Sequence, residues 1–230
     1  MMARKKFSAE GGSSISGEIV MPGDKSISHR AVMCGSLAKG TSRISNCLMG
    51  DDVKATIKAF EAMGVGFEFD SPSSFLIRGK GRSLVPPAKA INLQNSGTSI
   101  RLITGILAGL NFSARLDGDE SLRRRPMERI ATPLRKMGAS ILLRKENFPP
   151  IDILSSDGLR AIEYTLPIAS AQVKSSVIFA SLFAEGTSVV REKVATRDHT
   201  ERMLHQFRAD LRVENGEIKV RGGEDLYAAD

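Results

Sequence analysis

Residues Pro22-Gly23-Asp24-Lys25-Ser26-Ile27-Ser28-His29-Arg30 bring two hydroxyls and two permanent cations into one short stretch. Pro-Gly-Asp is turn punctuation, and the apolar run from His29 to Ala38 predicts a helix with Ser26 or Ser28 at or near its first turn. A helix start leaves backbone N–H groups unpaired and carries a partial positive charge, so with Lys25 and Arg30 beside it the stretch suits a phosphate or carboxylate. The plainer alternative makes Ser26 an ordinary N-cap and leaves both cations solvated.

The elements that position this stretch recur along the chain. A short strand is expected at Gly17–Met21, after a lead over residues 7–14. The first helix is expected to stop at Gly40, followed by a strand at Thr41–Asn46. Gly50-Asp51-Asp52 starts a second helix whose apolar side is Val53, Ile57, Phe60 and Met63, and a hairpin over Val65–Phe69 and Ser74–Arg78 closes the unit. A second copy begins at Ala90–Leu93, where Asn95-Ser96-Gly97-Thr98-Ser99 leads into an apolar helix to Ala108 with Arg101 just inside it. Ser113–Leu116 is its strand, and Pro126 suits the first position of its second helix, after the basic run Arg123-Arg124-Arg125.

A third copy opens at Pro167–Gln172, carries Lys174 and is expected to end its helix at Ala184-Glu185-Gly186. Thr187–Arg191 is its strand, Asp198 or Thr200 caps its second helix, and Asn215-Gly216 turns its hairpin. Met63-Gly64 and Met137-Gly138 mark equivalent points, as do Leu37, Leu107 and Phe183. Related by approximate threefold symmetry, the three first helices would start at one end of a domain and present an anion-binding face there. A repeat can also be no more than an economical way to build a core. Arg101 and Lys174 can brace helices as readily as touch a ligand, and Arg123 and Arg124 read as a solvated run.

The chain has 230 residues, enough for one large domain or two small ones, and a net charge of +7 that suits acidic partners. Without Trp and with two Tyr, it offers few stacking platforms, which argues against nucleic acid as the partner. Cys34 and Cys47 lack C-x-x-C spacing and read as reduced structural thiols. His29, His199 and His205 form no metal-ligand pattern, so neither metal nor cofactor is expected. Met1–Lys6 resembles a charged leader head, yet no apolar run follows it, and no segment is long and apolar enough to span a membrane; a cytoplasmic protein is expected.

Taken together, the opening stretch, Asn95-Ser96-Gly97-Thr98, Arg125-Pro126-Met127, Ser170-Ala171-Gln172 and Arg197-Asp198-His199-Thr200-Glu201-Arg202 resemble the 5-enolpyruvylshikimate-3-phosphate synthase family. The resemblance implies an α/β fold, with three tandem β-α-β-α-β-β units forming one domain of an inside-out α/β barrel whose helices lie inside. It implies a lead with an interdomain strand over 1–20 and a domain over 21–230, with units near 21–85, 86–160 and 161–230. It implies transfer of the enolpyruvyl group of phosphoenolpyruvate to the 5-hydroxyl of shikimate 3-phosphate, by addition and then elimination of phosphate. Lys25 is then the catalytic candidate, contacting phosphoenolpyruvate and assisting proton transfer.

Position by position, the family pattern places Lys25, Ser26, Arg30, Ser170, Ala171, Gln172 and Arg197 on shikimate 3-phosphate, and Lys25, Gly97, Arg125 and Gln172 on phosphoenolpyruvate. Two departures stand out. Gln94 occupies a position where the family usually has glycine, and Lys193-Val194-Ala195-Thr196 replaces the usual lead into the Arg-Asp-His-Thr run, which weakens the placement of Arg197. Family chains are also about twice as long. The resemblance therefore implies that a second domain supplies the acid and base carboxylates, and that residues 1–230 alone fold without turning over substrate. The sister transferase acting on UDP-N-acetylglucosamine has a Lys-Asn pair where this chain has Lys25-Ser26, and a non-catalytic anion- or nucleic-acid-binding module is the rival from another class.

Overall fold

A computed structural model describes residues 8, 11, 12, 14 and 16–229; Met1–Lys6 and much of the lead at 7–14 lie outside the described residues. The first unit runs α1 (Lys25–Leu37), β1 (Ala38–Ile44), α2 (Asp51–Glu61), β2 (Gly66–Ser71) and β3 (Ser74–Lys80). The second runs β4 (Ile91–Asn92), α3 (Gly97–Ala108), β5 (Ala114–Asp117), a 3-10 turn at Leu122–Arg124, α4 (Glu128–Lys136), β6 (Ser140–Arg144) and β7 (Phe148–Leu154). The third runs β8 (Leu159–Arg160), β9 (Glu163–Leu166), α5 (Ala171–Ser181), β10 (Ala184–Glu185), β11 (Thr187–Glu192), α6 (His199–Gln206), β12 (Leu211–Glu214), β13 (Glu217–Arg221) and β14 (Leu226–Tyr227).

Helices α1, α3 and α5 are buried almost all round, which places them at the centre, whereas α2, α4 and α6 bury one side each. Hydroxyls survive inside these helices by bonding one turn back: Ser36 to the Val32 carbonyl, Thr104 to Ile100 and Ser181 to Val177. Around them stand three four-stranded sheets, ordered β14-β1-β3-β2, β4-β5-β7-β6 and β9-β11-β13-β12. In each, a parallel edge strand precedes three antiparallel ones. Alternating burial along β3, β7 and β13 turns one face of each sheet onto the helices. The α/β architecture of three similar units with helices inside matches the expectation.

Several local readings change. Gly17–Met21 carries no strand pairing among the described residues, and the parallel partner of β1 is β14, with Ala38 opposite Leu226 and Lys39 opposite Tyr227. The first sheet is thus completed by the far end of the described chain, and Ile19 and Val20 stand 80% and 90% exposed. Helix α1 begins earlier than His29 and ends at Leu37; Gly40 lies within β1, since the chain passes from helix to strand without a glycine cap. Pro126 precedes α4 by two residues instead of opening it, and Met127 takes the N-cap position. Helix α5 stops at Ser181, and Ala184–Glu185 pairs with β8. The Asn215-Gly216 turn holds as read, with φ of 51° and 77°, the paired positive angles of a tight hairpin.

The repeat also shows where sheet meets helix end. A Cβ at Gly79 would run into the carbonyls of Gly35 and Ala38, and one at Gly222 into those of Ser181 and Ala184, the same three-residue step in units one and three. Between the central helices, a Cβ at Gly105 of α3 would meet the Ser176 carbonyl of α5. Gly105→Ala is therefore expected to push these backbones apart and lower the unfolding free energy by about 1–3 kcal/mol. Urea unfolding of the two proteins checks this, and an unchanged midpoint would contradict the close packing.

Candidate anion-binding site at the central helix starts

The first turn of α1 is capped by Asp24, whose carboxylate accepts from the Ile27 N–H at 2.8 Å. Asp24 has the extended backbone an N-cap needs, so it replaces Ser26 as the cap, while Ser26 and Ser28 fall at or near the first turn as expected. Ser28 instead donates to the Asp24 carbonyl at 2.8 Å and accepts from the Leu48 N–H at 2.9 Å. The Ser26 hydroxyl is left at the helix start, where Arg197 donates to it at 3.4 Å. Lys25 is half exposed and pairs with Asp52, a residue that counted in the sequence only as part of a helix start.

Arg30 is 3% exposed. Its Nε donates to Thr200 Oγ1 at 2.6 Å, and its two terminal nitrogens donate to Ser175 Oγ at 2.7 Å and to the Ser26 carbonyl at 2.9 Å. Three of its five N–H groups are thereby used, and α1 is tied to α5 and α6. Burial pulls the Arg30 pKa below its ordinary value, with Arg197 adding to that effect and Glu201 opposing it. Lys25, Ser26, Arg30 and Arg197 thus form one cluster, and Arg197 arrives there despite its altered lead.

A second cluster forms between α3 and α5. Ser96 caps α3, accepting from the Ser99 N–H at 3.2 Å. Arg101 donates to the Gly97 carbonyl at 3.2 Å, to Gln172 Oε1 at 2.9 Å and to the Pro126 carbonyl at 3.3 Å, while Gln172 donates to Thr98 Oγ1 at 3.0 Å. Arg125 donates to Asn95 Oδ1 at 2.5 Å. Gly97 lies against both guanidinium groups: a Cβ there would come within 2.8 Å of Arg125 and 2.9 Å of Arg101. Burial, reinforced by Arg129 and Arg125, pulls Arg101 down to about 10, so it stays charged at neutral pH. Gln94 keeps a left-handed backbone at φ 51°, the conformation a glycine would take, with its N–H on Asn92 and its carbonyl accepting from Asp119. The turn before the loop is therefore retained without the glycine.

Ser170 caps α5, accepting from the Val173 N–H at 3.4 Å, and Ala171 is its first residue, with its carbonyl held by Ser175. Lys174 is not available to a ligand: it is buried against Glu192 at 2.8 Å and Glu201 at 2.6 Å. Of its two open readings, the brace is the one observed. Thr200, Ser175 and Thr98 are hydroxyls that tie these side chains together; Thr98 and Thr200 belong to motifs visible in the sequence, whereas Ser175 carries no signal there beyond its helical position. Arg123 pairs with Asp117, as a solvated run would. Cys34 and Cys47 are free and buried, and burial pushes the Cys34 thiol up to about 12.

A family model described as EPSP synthase (3-phosphoshikimate 1-carboxyvinyltransferase) matches residues 9–230. The chain is 50% identical over 218 residues to a 3-phosphoshikimate 1-carboxyvinyltransferase of Streptococcus mutans, covering 94% of this chain and 51% of that protein. It is 53% identical over 214 residues to the enzyme of that name from Lactococcus lactis subsp. lactis, covering 92% and 50%. A solved structure of EPSP synthase from Acinetobacter baumannii superposes with a TM-score of 0.90 at 46% identity, over 92% of this chain and 48% of that one. The chain spans about half the length of the curated relatives it matches.

Beside the first cluster sits His29, fully buried, with Nδ1 2.8 Å from Thr56 Oγ1 and no partner for Nε2. Burial lowers its pKa from 6.5 to about 4, against the opposing pull of Asp52 and with help from Lys25 and Arg30. The unfolded imidazole takes up a proton below pH 6.5 while the folded one resists until about pH 4. Stability present above pH 6.5 is thus lost as pH falls through this window, by up to about 3 kcal/mol. His29→Gln is expected to flatten that part of the dependence in urea unfolding at pH 7 and pH 4.5. Parallel losses in both proteins would show that His29 is not its source.

Proposed function

Because this chain belongs to the EPSP synthase family, we propose that it supplies the shikimate 3-phosphate face, and part of the phosphoenolpyruvate face, of a 3-phosphoshikimate 1-carboxyvinyltransferase. The observation that carries the reading is the convergence of the α1, α3 and α5 starts with Ser26, Arg197, Arg30, Gln172, Arg101 and Arg125 around them. Both substrates are anions. Helix starts and guanidinium groups recognise phosphate and carboxylate oxygens by charge-assisted hydrogen bonds.

In this reading the first cluster takes shikimate 3-phosphate. Ser170, the Ala171 backbone and Arg197 hold its phosphate; Lys25, Ser26 and Arg30 face the remainder of the molecule. Gln172 stands between the substrates, since one end of its amide is already fixed by Arg101 and the other by Thr98. The second cluster takes phosphoenolpyruvate: Arg125 pairs with its anionic groups, and the absent side chain at Gly97 leaves room for it beside the two guanidinium groups. Lys25, half exposed and resting on Asp52, touches both substrates and assists proton transfer during addition and elimination. The acid and base carboxylates come from a second domain, as do the remaining phosphoenolpyruvate contacts. The working enzyme acts in the cytoplasm; among the described residues, no helix is long and apolar enough to cross a membrane.

Thermal unfolding with added ligand tests this directly, read by an extrinsic dye because the chain has no Trp. Shikimate 3-phosphate at a hundred times its dissociation constant is expected to add about 2.7 kcal/mol of stability, with a smaller effect of shikimate at the same concentration. Residues 1–230 mixed with both substrates are expected to release no phosphate. Equal stabilisation by shikimate and shikimate 3-phosphate, or none by either, would refute the phosphate face. Tight oligonucleotide binding with a steep salt dependence would favour the non-catalytic rival.

A further inference from the structure

We propose that Lys174 is a positioning residue that holds Arg197 over Ser26, an inference that rests on the reading of this face as the phosphate site. Lys174 lies in the first turns of α5 and is 1% exposed. Its ammonium group has three N–H donors and three oxygen acceptors around it: Glu201 Oε1 at 2.6 Å, Glu192 Oε2 at 2.8 Å and the Thr196 carbonyl at 3.5 Å. Glu192 is the last residue of β11 and Glu201 lies in the first turn of α6. Between them, residues 193–198 form neither helix nor strand. The Thr196 hydroxyl closes the arrangement by donating to Glu192 Oε1.

The clamp therefore seizes both ends of the segment and the residue directly before Arg197. Outside the strand ladder, the hydrogen bonds of 193–197 among the described residues are those of Thr196 with Lys174 and Glu192 and that of Arg197 with Ser26. Val194 in the middle is 66% exposed, so apolar packing does little to hold this stretch. Glu201, one of the two acids that grip Lys174, also opposes the effect of burial on the neighbouring Arg30 guanidinium. Lys174 touches no substrate in this account and acts through Arg197.

A double-mutant cycle separates this role from a general structural one. Binding of shikimate 3-phosphate and of shikimate is measured by titration calorimetry for the wild-type chain, Lys174→Met, Arg197→Ala and the double variant. Each single change is expected to weaken shikimate 3-phosphate by about tenfold while shikimate changes less than about twofold, and the double variant is expected to bind no more weakly than Arg197→Ala. Equal weakening of both ligands, unchanged affinity in Lys174→Met, or multiplied effects in the double variant would overturn the proposal. Should Lys174→Met fail to fold, Thr196→Val replaces it, since it removes one hydrogen bond and no charge, and the same criteria apply. If the wild-type chain binds neither ligand, the reading of the site itself fails. The clamp is then judged by amide exchange: acceleration confined to 193–198 in the Lys174 or Thr196 variant supports it, and unchanged exchange overturns it.

Discussion

The Arg30 guanidinium, buried among Thr200, Ser175 and the Ser26 carbonyl, determines where the central helices meet. A charge removed from water is tolerated only when its hydrogen bonds are made, so these contacts cannot be exchanged freely for others. They span the chain from α1 to α5 and α6, joining the first unit to the third. The first and second units are joined by the neighbouring node, where Thr56 of α2 lies within hydrogen-bond distance of both His29 of α1 and Ser99 of α3. Arg101 completes the circuit between α3 and α5 through Gln172 and the Pro126 carbonyl. Polar nodes, each near the first turns of the central helices, bring three N-termini to one end of the domain.

That arrangement gives the cations of a guanidinium-rich face partners within the protein itself. Every cation in it has a neutral or acidic partner: Lys25 has Asp52, Arg125 has Asn95, and Arg197 has Ser26. Most of these partners are weak acceptors at exposed positions, which a phosphate or carboxylate can outcompete. Lys174 differs in that two of its three acceptors are buried carboxylates, and its work is mechanical.

Much of this was legible in the amino acids because much of it is local. Helix stops at Met63-Gly64 and Met137-Gly138, the Asn215-Gly216 hairpin and the small, hydroxylated helix starts all follow from short-range chemistry, and the threefold count follows from their spacing. The readings that changed depend on partners distant in sequence. Gly17–Met21 reads as a short strand, yet it pairs with no strand among the described residues, and the parallel edge of β1 is held by Leu226–Tyr227 from the far end of the chain. Lys174 looks like one more cation for the anion face until Glu192 and Glu201, 18 and 27 residues on, are seen folded over it. Asp24 displaced Ser26 as the cap because a carboxylate at the extended residue before the helix reaches the Ile27 N–H first. That left the Ser26 hydroxyl for Arg197, a consequence of cap choice that no motif records.

The central claim is that the starts of α1 and α5, with the Arg197 segment between them, form one anion site. Backbone amide NMR during titration of the labelled chain with shikimate 3-phosphate tests it residue by residue. The account predicts that the largest shifts fall together at 25–30, 170–175 and 196–200, with one shared dissociation constant, and that shikimate leaves the 170–175 and 196–200 amides nearly unmoved. Shifts concentrated at the opposite ends of the central helices, around Leu37 of α1 and Phe183 just past α5, or independent affinities at the three segments, would contradict it.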